Sequence, residues 1–235
     1  MKPVICKEDE NFLVLMKPSG WITNTSSTTG DSPVLQDWIK KNLNFPISNA
    51  DEYRSGVVHR LDKETSGLVI IAKNEKAFRD LQKQFKNRNV QKTYITLVHG
   101  KVSPEEGSVD APTGRLPWNR ERFGVFPGGK HAFTKYKVIE YLKKDKDLYS
   151  LLEVYPKTGR THQIRVHMKY LNHPVVADSF YAGRKTARND RKWCPRLFLH
   201  AQKISFIDPG NRKTINVSSK LPEDLNGAKD RLDNE

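Results

Sequence analysis

The stretch Val58-His59-Arg60-Leu61-Asp62-Lys63-Glu64-Thr65-Ser66-Gly67-Leu68-Val69-Ile70-Ile71-Ala72-Lys73 runs a polar, turn-prone segment directly into an apolar one. Its second half is short, rich in β-branched residues and bounded by Gly67 and Asn74, which is the pattern of a fully buried strand. Asp62 therefore falls on a loop, where its carboxylate can stand at the edge of a cleft, braced by the strand that follows. An aspartate in such a turn can also cap it through local amide hydrogen bonds, and the chemistry of the segment alone favours that second reading.

Working outward, the strand signature recurs at Phe12-Leu13-Val14-Leu15, Tyr94-Ile95-Thr96-Leu97-Val98, Tyr136-Lys137-Val138-Ile139, Leu151-Leu152-Glu153-Val154 and Ile204-Ser205-Phe206. Three helices are expected between these runs. The first opens at Ser32-Pro33, a cap followed by proline at the first helical position, with Leu35, Trp38, Ile39 and Leu43 on one face. The second starts after Asn74 and buries Phe78, Leu81 and Phe85. The third occupies residues 161–171, where Ile164, Met168 and Leu171 share a face and His162, Arg165 and Lys169 turn together in another direction, until Asn172 stops it. Strands in consecutive runs, without regular βαβ alternation, predict an α+β fold with a mixed, largely antiparallel central sheet and flanking helices. No long Pro/Gly/Ser linker divides the chain. Residues 1–220 are expected to form one compact domain, and residues 221–235 a polar, poorly packed tail.

The charge is strongly one-sided: 41 Lys+Arg stand against 27 Asp+Glu, a formal net charge of +14. Lys2, Lys7, Lys17, Lys40 and Lys41 balance Glu8, Asp9, Glu10, Asp31 and Asp37 in the first fifty residues, so the whole excess lies after residue 50. Such an excess points to a polyanionic partner, nucleic acid or an acidic membrane surface. No apolar run approaches the ~18 residues of a membrane span, and no amphipathic lysine helix exposes large apolar residues, so nucleic acid is the expected partner. Cys6 and Cys194 have no Cys-x-x-Cys partner, and the N-terminus lacks a signal peptide's apolar region; a reducing cytoplasmic setting and a monomer are expected. Lys76, Arg79, Lys83, Lys86, Arg88 and Lys92 gather on the second helix and its exit, as a solvated helix face or as phosphate contacts. Arg115, Trp118, Arg120, Arg122 and Phe123 interleave aromatics with arginine, a mixture that suits phosphate contact with base stacking, although Trp118 can equally fold back on the core.

Two motifs are decoys. Gly124-Val125-Phe126-Pro127-Gly128-Gly129-Lys130 has most of the P-loop spacing, but His131 stands where Ser or Thr should bind magnesium. The following Ala132-Phe133-Thr134-Lys135-Tyr136-Lys137-Val138 alternates like a strand, whereas a P-loop must open a helix. His59, Asp62, His162, His167, His173 and His200 could be collected into a metal site on paper. His162 and His167, however, are five apart rather than four, and there is no H-E-x-x-H, so no metal is expected.

The segment around Asp62 resembles the signature of the RluA-like RNA pseudouridine synthases, whose catalytic loop reads His-Arg-Leu-Asp followed by Thr-Ser-Gly-Leu and an apolar strand. Asn11-Phe12-Leu13-Val14-Leu15-Met16-Lys17-Pro18-Ser19-Gly20 is similar to the family's opening motif, a strand ending in Lys-Pro-x-Gly. Lys92-Thr93-Tyr94-Ile95-Thr96-Leu97-Val98-His99-Gly100 is similar to its second, Thr158-Gly159-Arg160-Thr161-His162-Gln163-Ile164-Arg165-Val166-His167 to its third, and Leu199-His200-Ala201 to a late one. The resemblance spans residues 10–220 in the family's order, and His59 separates the chain from the RsuA-like branch, which has glycine there. Many members carry an S4 RNA-binding domain before the catalytic part; here the catalytic motifs start near residue 10, which leaves substrate choice to the basic surface of the catalytic domain.

The resemblance implies an isomerase that detaches uracil from ribose and reattaches it through carbon, a redox-neutral reaction for which no cofactor is expected. Asp62 is implied as the ionised catalytic carboxylate, attacking the ribose C1′ or the uracil C6, or assisting departure of the base to form a glycal. Arg165 is implied as the basic residue that pairs with it, and Tyr94 as the tyrosine beneath the target ring. Arg60 is implied to fill the space left by the extruded uridine, with a phosphate clamp as the alternative. His59, Leu61, Arg160, His162 and Ile164 complete the expected substrate-binding set. Lys83, Lys86, Arg88, Lys92, Arg115, Arg120 and Arg122 form the expected surface for ribosomal or transfer RNA. A non-catalytic RNA-binding or ribosome-assembly protein on the same fold is the alternative, and the joint presence of Asp62, Tyr94 and Arg165 speaks against it.

Overall fold

A computed structural model describes every residue except 26–29 and Trp118, and leaves out the side chain of Arg120. In chain order its elements are β1 (Val4–Glu8), β2 (Phe12–Lys17), α1 (Leu35–Asn42), β3 (Ser66–Ala72), α2 (Glu75–Lys86), β4 (Gln91–His99), β5 (Glu106–Asp110), β6 (Thr113–Leu116), β7 (Asn119–Val125), β8 (Phe133–Lys144), β9 (Asp147–Pro156), α3 (Gln163–Tyr170), α4 (Arg184–Asp190), β10 (Leu199–Ile207), β11 (Thr214–Ser218), α5 (Glu223–Lys229) and β12 (Asp233–Asn234). Where one compact domain was expected, the chain divides into two compact units: Met1–Lys92 with Ala201–Ser219, and Thr93–His200 with Lys220–Glu235.

The first unit is organised around β3, whose seven residues are all buried. Its strands run in the order β1-β2-β3-β10-β11, and β1–β2, β2–β3 and β10–β11 are antiparallel. An inner strand covered on both faces must be apolar throughout, which is why Leu68, Val69, Ile70 and Ile71 carry no polar alternation. Gly67 is required by the strand's neighbour. Its φ is +133°, and a Cβ there would fall 2.4 Å from the Ala201 carbonyl oxygen. Helix α2 begins as expected: the Asn74 side chain accepts from Ala77 N–H at 2.9 Å, and Phe78 and Leu81 are buried.

Helix α1 starts later than its Ser32-Pro33 signal, after Val34, which supplies no side-chain cap. Ile22 N–H donates to Pro33 O at 2.9 Å and Leu35 N–H to Ile22 O at 2.8 Å, so this short bridge holds Val34 extended and delays the helix.

In the second unit the order is β4-β9-β8-β12, with β5 also on β8 and a separate β6–β7 hairpin; β4–β9, β8–β9, β5–β8, β8–β12 and β6–β7 are antiparallel. Its core gathers Ile95, Leu97, Tyr149, Leu151, Val176 and Phe198 with Leu225, Ala228 and Leu232. The last three overturn the expectation of a poorly packed tail: α5 is polar outside, but its few apolar side chains are fully used, and β12 pairs with β8. The P-loop-like segment is a turn between β7 and β8, closed by Gly129 N–H on Phe126 O at 3.0 Å. Helix α3 is shorter than expected, because His162 precedes it with φ 54° in the left-handed region. It ends as expected at Asn172, whose φ of 65° allows Asn172 N–H to reach Lys169 O and His173 N–H to reach Met168 O. Among the described residues no helix is long and apolar enough to cross a membrane.

Candidate active site

The loop carrying Asp62 is held from both sides by a distant piece of the first unit. Lys17, at the end of β2, is fully buried and its Nζ donates to the carbonyls of Pro18, Trp21 and Lys63 at 2.9, 2.8 and 3.3 Å. A buried lysine is tolerable only with such partners. Gly20, at φ 84°, donates its N–H to Lys63 O at 2.8 Å, and Ser19 Oγ donates to Glu64 O at 2.7 Å. Thr23 Oγ1 donates to Leu61 O at 2.9 Å and accepts from Leu61 N–H at 3.2 Å. Thr65 N–H closes the turn on Asp62 O at 3.2 Å. The backbone is thus fixed at residues 61 to 64, and the half-buried Asp62 carboxylate stands on a turn with little freedom.

His59 ties the start of this loop to β3. Its Nε2 accepts from Ile70 N–H at 2.9 Å, and its ring packs on Phe85 with centroids 4.6 Å apart. Accepting that bond requires an unprotonated Nε2. Burial first, and the Lys92 charge second, push the imidazole down from its ordinary 6.5 to about 3. Leu61 is a core residue at 4% exposure, whereas the Arg60 side chain is exposed. His59 and Leu61 thus act as anchors, and Arg60 and Asp62 keep side chains within reach of a ligand.

The other expected residues lie in the second unit. Tyr94 is buried in β4 opposite Val154 of β9. Arg160, His162, Ile164 and Arg165 are gathered at the entry of α3 by Gln163. Its Oε1 accepts from Thr158 Oγ1 and Arg160 N–H at 2.7 and 3.0 Å, and its Nε2 donates to Phe133 O and Thr134 Oγ1 at 3.1 and 2.9 Å. Thr134 Oγ1 in turn meets His167 Nδ1 at 2.8 Å, and His167 Nε2 meets Ala111 O at 3.0 Å. Since a carbonyl only accepts, Nε2 carries the proton, and burial lowers the His167 pKa. The polar Gln163, Arg165 and His167 of α3 are therefore buried as thoroughly as its apolar Ile164, Val166 and Met168, and only its last turn is exposed. That corrects the expected amphipathic helix with Arg165 turned away from the core.

Arg165, 3% exposed, makes a two-pronged pair with the fully buried Asp178: Nε to Oδ2 at 2.7 Å and Nη2 to Oδ1 at 2.8 Å, which leaves Nη1 outside this fork. Its guanidinium also lies over the rings of Phe180 and Tyr181, at 5.5 and 5.1 Å. The fork sets the plane of the guanidinium. Asp178, Phe180 and Tyr181 were not anticipated from the sequence. One signal was available: an arginine on a buried helix needs a carboxylate, and Asp178 directly follows the apolar run Val175-Val176-Ala177.

Of the expected RNA contacts, Lys83, Lys86 and Arg88 are exposed around the end of α2, and Arg115 and Arg122 on the β6–β7 hairpin. The side chain of Arg120, like Trp118, lies outside the described residues. Lys92 is half-buried, and burial pushes its pKa down to about 8, which still leaves it mostly charged at neutral pH. Arg160 is exposed and its Nε donates to His131 O at 3.1 Å.

Comparison with known proteins gives the family. The family model described as RNA pseudouridylate synthase matches residues 11–170. The chain is 38% identical over 221 residues to ribosomal large subunit pseudouridine synthase D of Borreliella burgdorferi, covering 93% of this chain and 65% of that protein. It is 37% identical over 209 residues to an uncharacterized RNA pseudouridine synthase of Chloroflexus aurantiacus, covering 89% and 63%. With the uncharacterized RNA pseudouridine synthase YlyB of Bacillus subtilis the identity is 35% over 218 residues, covering 93% and 69%. The chain therefore spans 63% to 69% of the length of these relatives. Among solved structures, human RNA pseudouridylate synthase domain containing 1 superimposes with a TM-score of 0.78 at 25% identity, covering 100% of this chain and 89% of that one. Family model and relatives coincide on the segments that hold the Asp62 loop and α3, and the chain belongs to the RluA-like RNA pseudouridylate synthase family.

Proposed function

We propose that the protein isomerises uridines in structured RNA to pseudouridine, with Asp62 as the catalytic carboxylate. The observation that carries this reading is the pinned loop: hydrogen bonds from Thr23, Lys17, Gly20 and Ser19 fix the backbone around one half-buried carboxylate. A carboxylate meant only to cap a turn would not need such support from residues some forty positions away. Pre-positioning is what a group needs if it is to meet a reacting carbon in one orientation.

In the reaction the bond between N1 and C1′ breaks, the uracil turns, and a bond forms between C5 and C1′; C5 gives up its hydrogen as a proton and N1 gains one. Atoms and electrons balance without a co-substrate. Asp62 serves as nucleophile towards C1′ or C6, or as the base that assists glycal formation. Tyr94 offers a ring face to the detached uracil and a hydroxyl for proton transfer, and Arg165 acts from its fixed plane. The target must leave its stack first, at a cost of a few kcal/mol, and the exposed Arg60 is suited to occupy the gap. Arg160 and His162 flank the substrate, with His59, Leu61 and Ile164 as the supports beneath. Lys83, Lys86, Arg88, Arg115, Arg120 and Arg122 neutralise phosphates, and the names of the relatives favour ribosomal over transfer RNA as the substrate. The protein works as a monomer in the cytoplasm.

The test is release of tritium from RNA labelled at uridine C5, with ribosomal and transfer RNA assayed separately and the Asp62→Ala protein as control. Release that depends on Asp62 supports the isomerase. RNA binding without release from either pool would transfer the reading to a non-catalytic RNA-binding protein.

A further inference from the structure

Phe180 is unusual in being large, apolar, 42% exposed and yet rigidly placed. Asp178 Oδ1 accepts from the backbone N–H groups of Phe180 and Tyr181 at 2.9 and 3.2 Å, while the same carboxylate holds Arg165. The ring is thus carried on a buried ion pair, and it also borders His162 at 5.9 Å between centroids. His162 is itself fixed: its Nδ1 lies 2.8 Å from the Tyr181 hydroxyl, and its ring lies 5.5 Å from Phe123, over which Arg115 sits at 5.1 Å. The exposed aromatic is accordingly part of a continuous series of rings and guanidinium groups. The chain just beyond it adds exposed Arg184 and Lys185.

Exposure alone is ordinary for an apolar side chain; what sets Phe180 apart is that the contacts beneath it fix one flat face of the ring toward solvent. A ring already immobilised loses little freedom when something stacks on it. The surrounding charge selects an anionic partner with a flat apolar face, which describes a nucleotide; neither an apolar peptide nor a stacked duplex, whose base faces are covered, meets both conditions.

We propose that Phe180 is a stacking platform for an unpaired nucleobase of the RNA, with the neighbouring arginines on its phosphates, so that the substrate is an RNA with unstacked nucleotides beside the target rather than a continuous helix. This rests on the RNA reading given above but not on catalysis.

The experiment therefore measures binding in the Asp62→Ala background, using an RNA strand of about ten nucleotides that carries fluorescent aminopurine, and a blunt duplex of the same length. Phe180→Ala is expected to weaken the single strand about ten-fold and to abolish the stacking quench, with duplex affinity unchanged. The slope of affinity against salt should stay the same, because no phosphate contact is removed. Phe180→Tyr should retain both affinity and quench. Should Phe180→Ala fail to fold, Phe180→Leu keeps apolar volume without a ring and is expected to lose the quench. Equal affinity of the alanine variant and its parent for the single strand, or equal losses on strand and duplex, would overturn the proposal and leave Phe180 as packing for Arg165. Since tritium release is not the readout, a failed isomerase reading and a failed stacking site give different results.

Discussion

Replacing His59 by glutamine isolates a single proton in the folding equilibrium. The amide oxygen of glutamine reaches about as far as Nε2, so it can go on accepting from Ile70 N–H while the titration disappears. In the native protein the folded imidazole stays neutral down to about 3, whereas in the unfolded chain it takes up a proton near 6.5. A depressed folded value means that the unfolded chain binds more protons across this window. Stability is complete above the unfolded value and falls as pH drops from 6.5 towards 3. Linkage over the interval from about pH 7 to pH 5 gives roughly 2 kcal/mol for a ring shut off from water. Because His59 is only half-buried, solvent screening reduces this to about 1–2 kcal/mol. Urea unfolding at the two pH values, for native and His59→Gln protein, reads the difference directly, since the other titrating groups are common to both. The native protein should lose that much more than the variant. Identical losses would refute the neutral imidazole, and with it the assignment of His59 as an anchor rather than a ligand group.

Four further outcomes follow from the same geometry. Gly67→Ala places a Cβ 2.4 Å from Ala201 O at a φ of +133°, and should lower stability by about 3 kcal/mol in thermal or urea unfolding; a loss under about 1 kcal/mol would show that β3 and β10 can separate easily. Asp178→Asn removes a two-pronged charged partner of a guanidinium only 3% exposed, and should cost about 3–5 kcal/mol and reduce kcat for tritium release, whereas unchanged kcat would detach the pair from the reaction. Leu225→Ala should cost about 2–4 kcal/mol, because that side chain is fully buried; a neutral result would restore the view of residues 221–235 as a tail. Thr65→Val should raise stability by about 1 kcal/mol, since the Thr65 hydroxyl is buried and has no hydrogen-bond partner among the described residues, and a lower melting temperature would mean that a partner exists in solution.

The strands that a reader can find in the sequence are those with both neighbours and both faces covered, because only there does burial force an apolar run. β2, β3, β4 and β9 announce themselves in this way, while β8 and β10 show instead the alternation of strands covered on one face. β1 does not: all five of its residues are exposed at an edge, so Val4-Ile5-Cys6-Lys7-Glu8 carries no pattern of burial. The same holds for β11, where exposed and half-exposed residues alternate without a buried one. Helix α5 has two buried residues, Leu225 and Ala228, one turn apart, which is too little to stand out among charged neighbours. Helix α3 misled for the opposite reason. Its buried polar residues are satisfied internally, Gln163 by four hydrogen bonds and Arg165 by Asp178, so polarity alone no longer marks the solvent face.

The candidate site was legible in its motifs and opaque in its division of labour. His59, Arg60, Leu61 and Asp62 stand together in the sequence, yet the backbone bond of Leu61 and the ring acceptor of His59 tie two of them into the fold, while the Arg60 side chain is exposed and that of Asp62 half-buried. No local rule separates these roles, since each depends on a partner far along the chain: Thr23 for Leu61, Ile70 for His59, Lys17 for Lys63. Lys-Pro-x-Gly reads in isolation as the end of a strand. In the fold, its lysine nitrogen and glycine amide converge on one carbonyl, that of Lys63, beside Asp62. The motif thus contributes to the placement of Asp62 and to the stability of the loop at once, because the same buried hydrogen bonds do both.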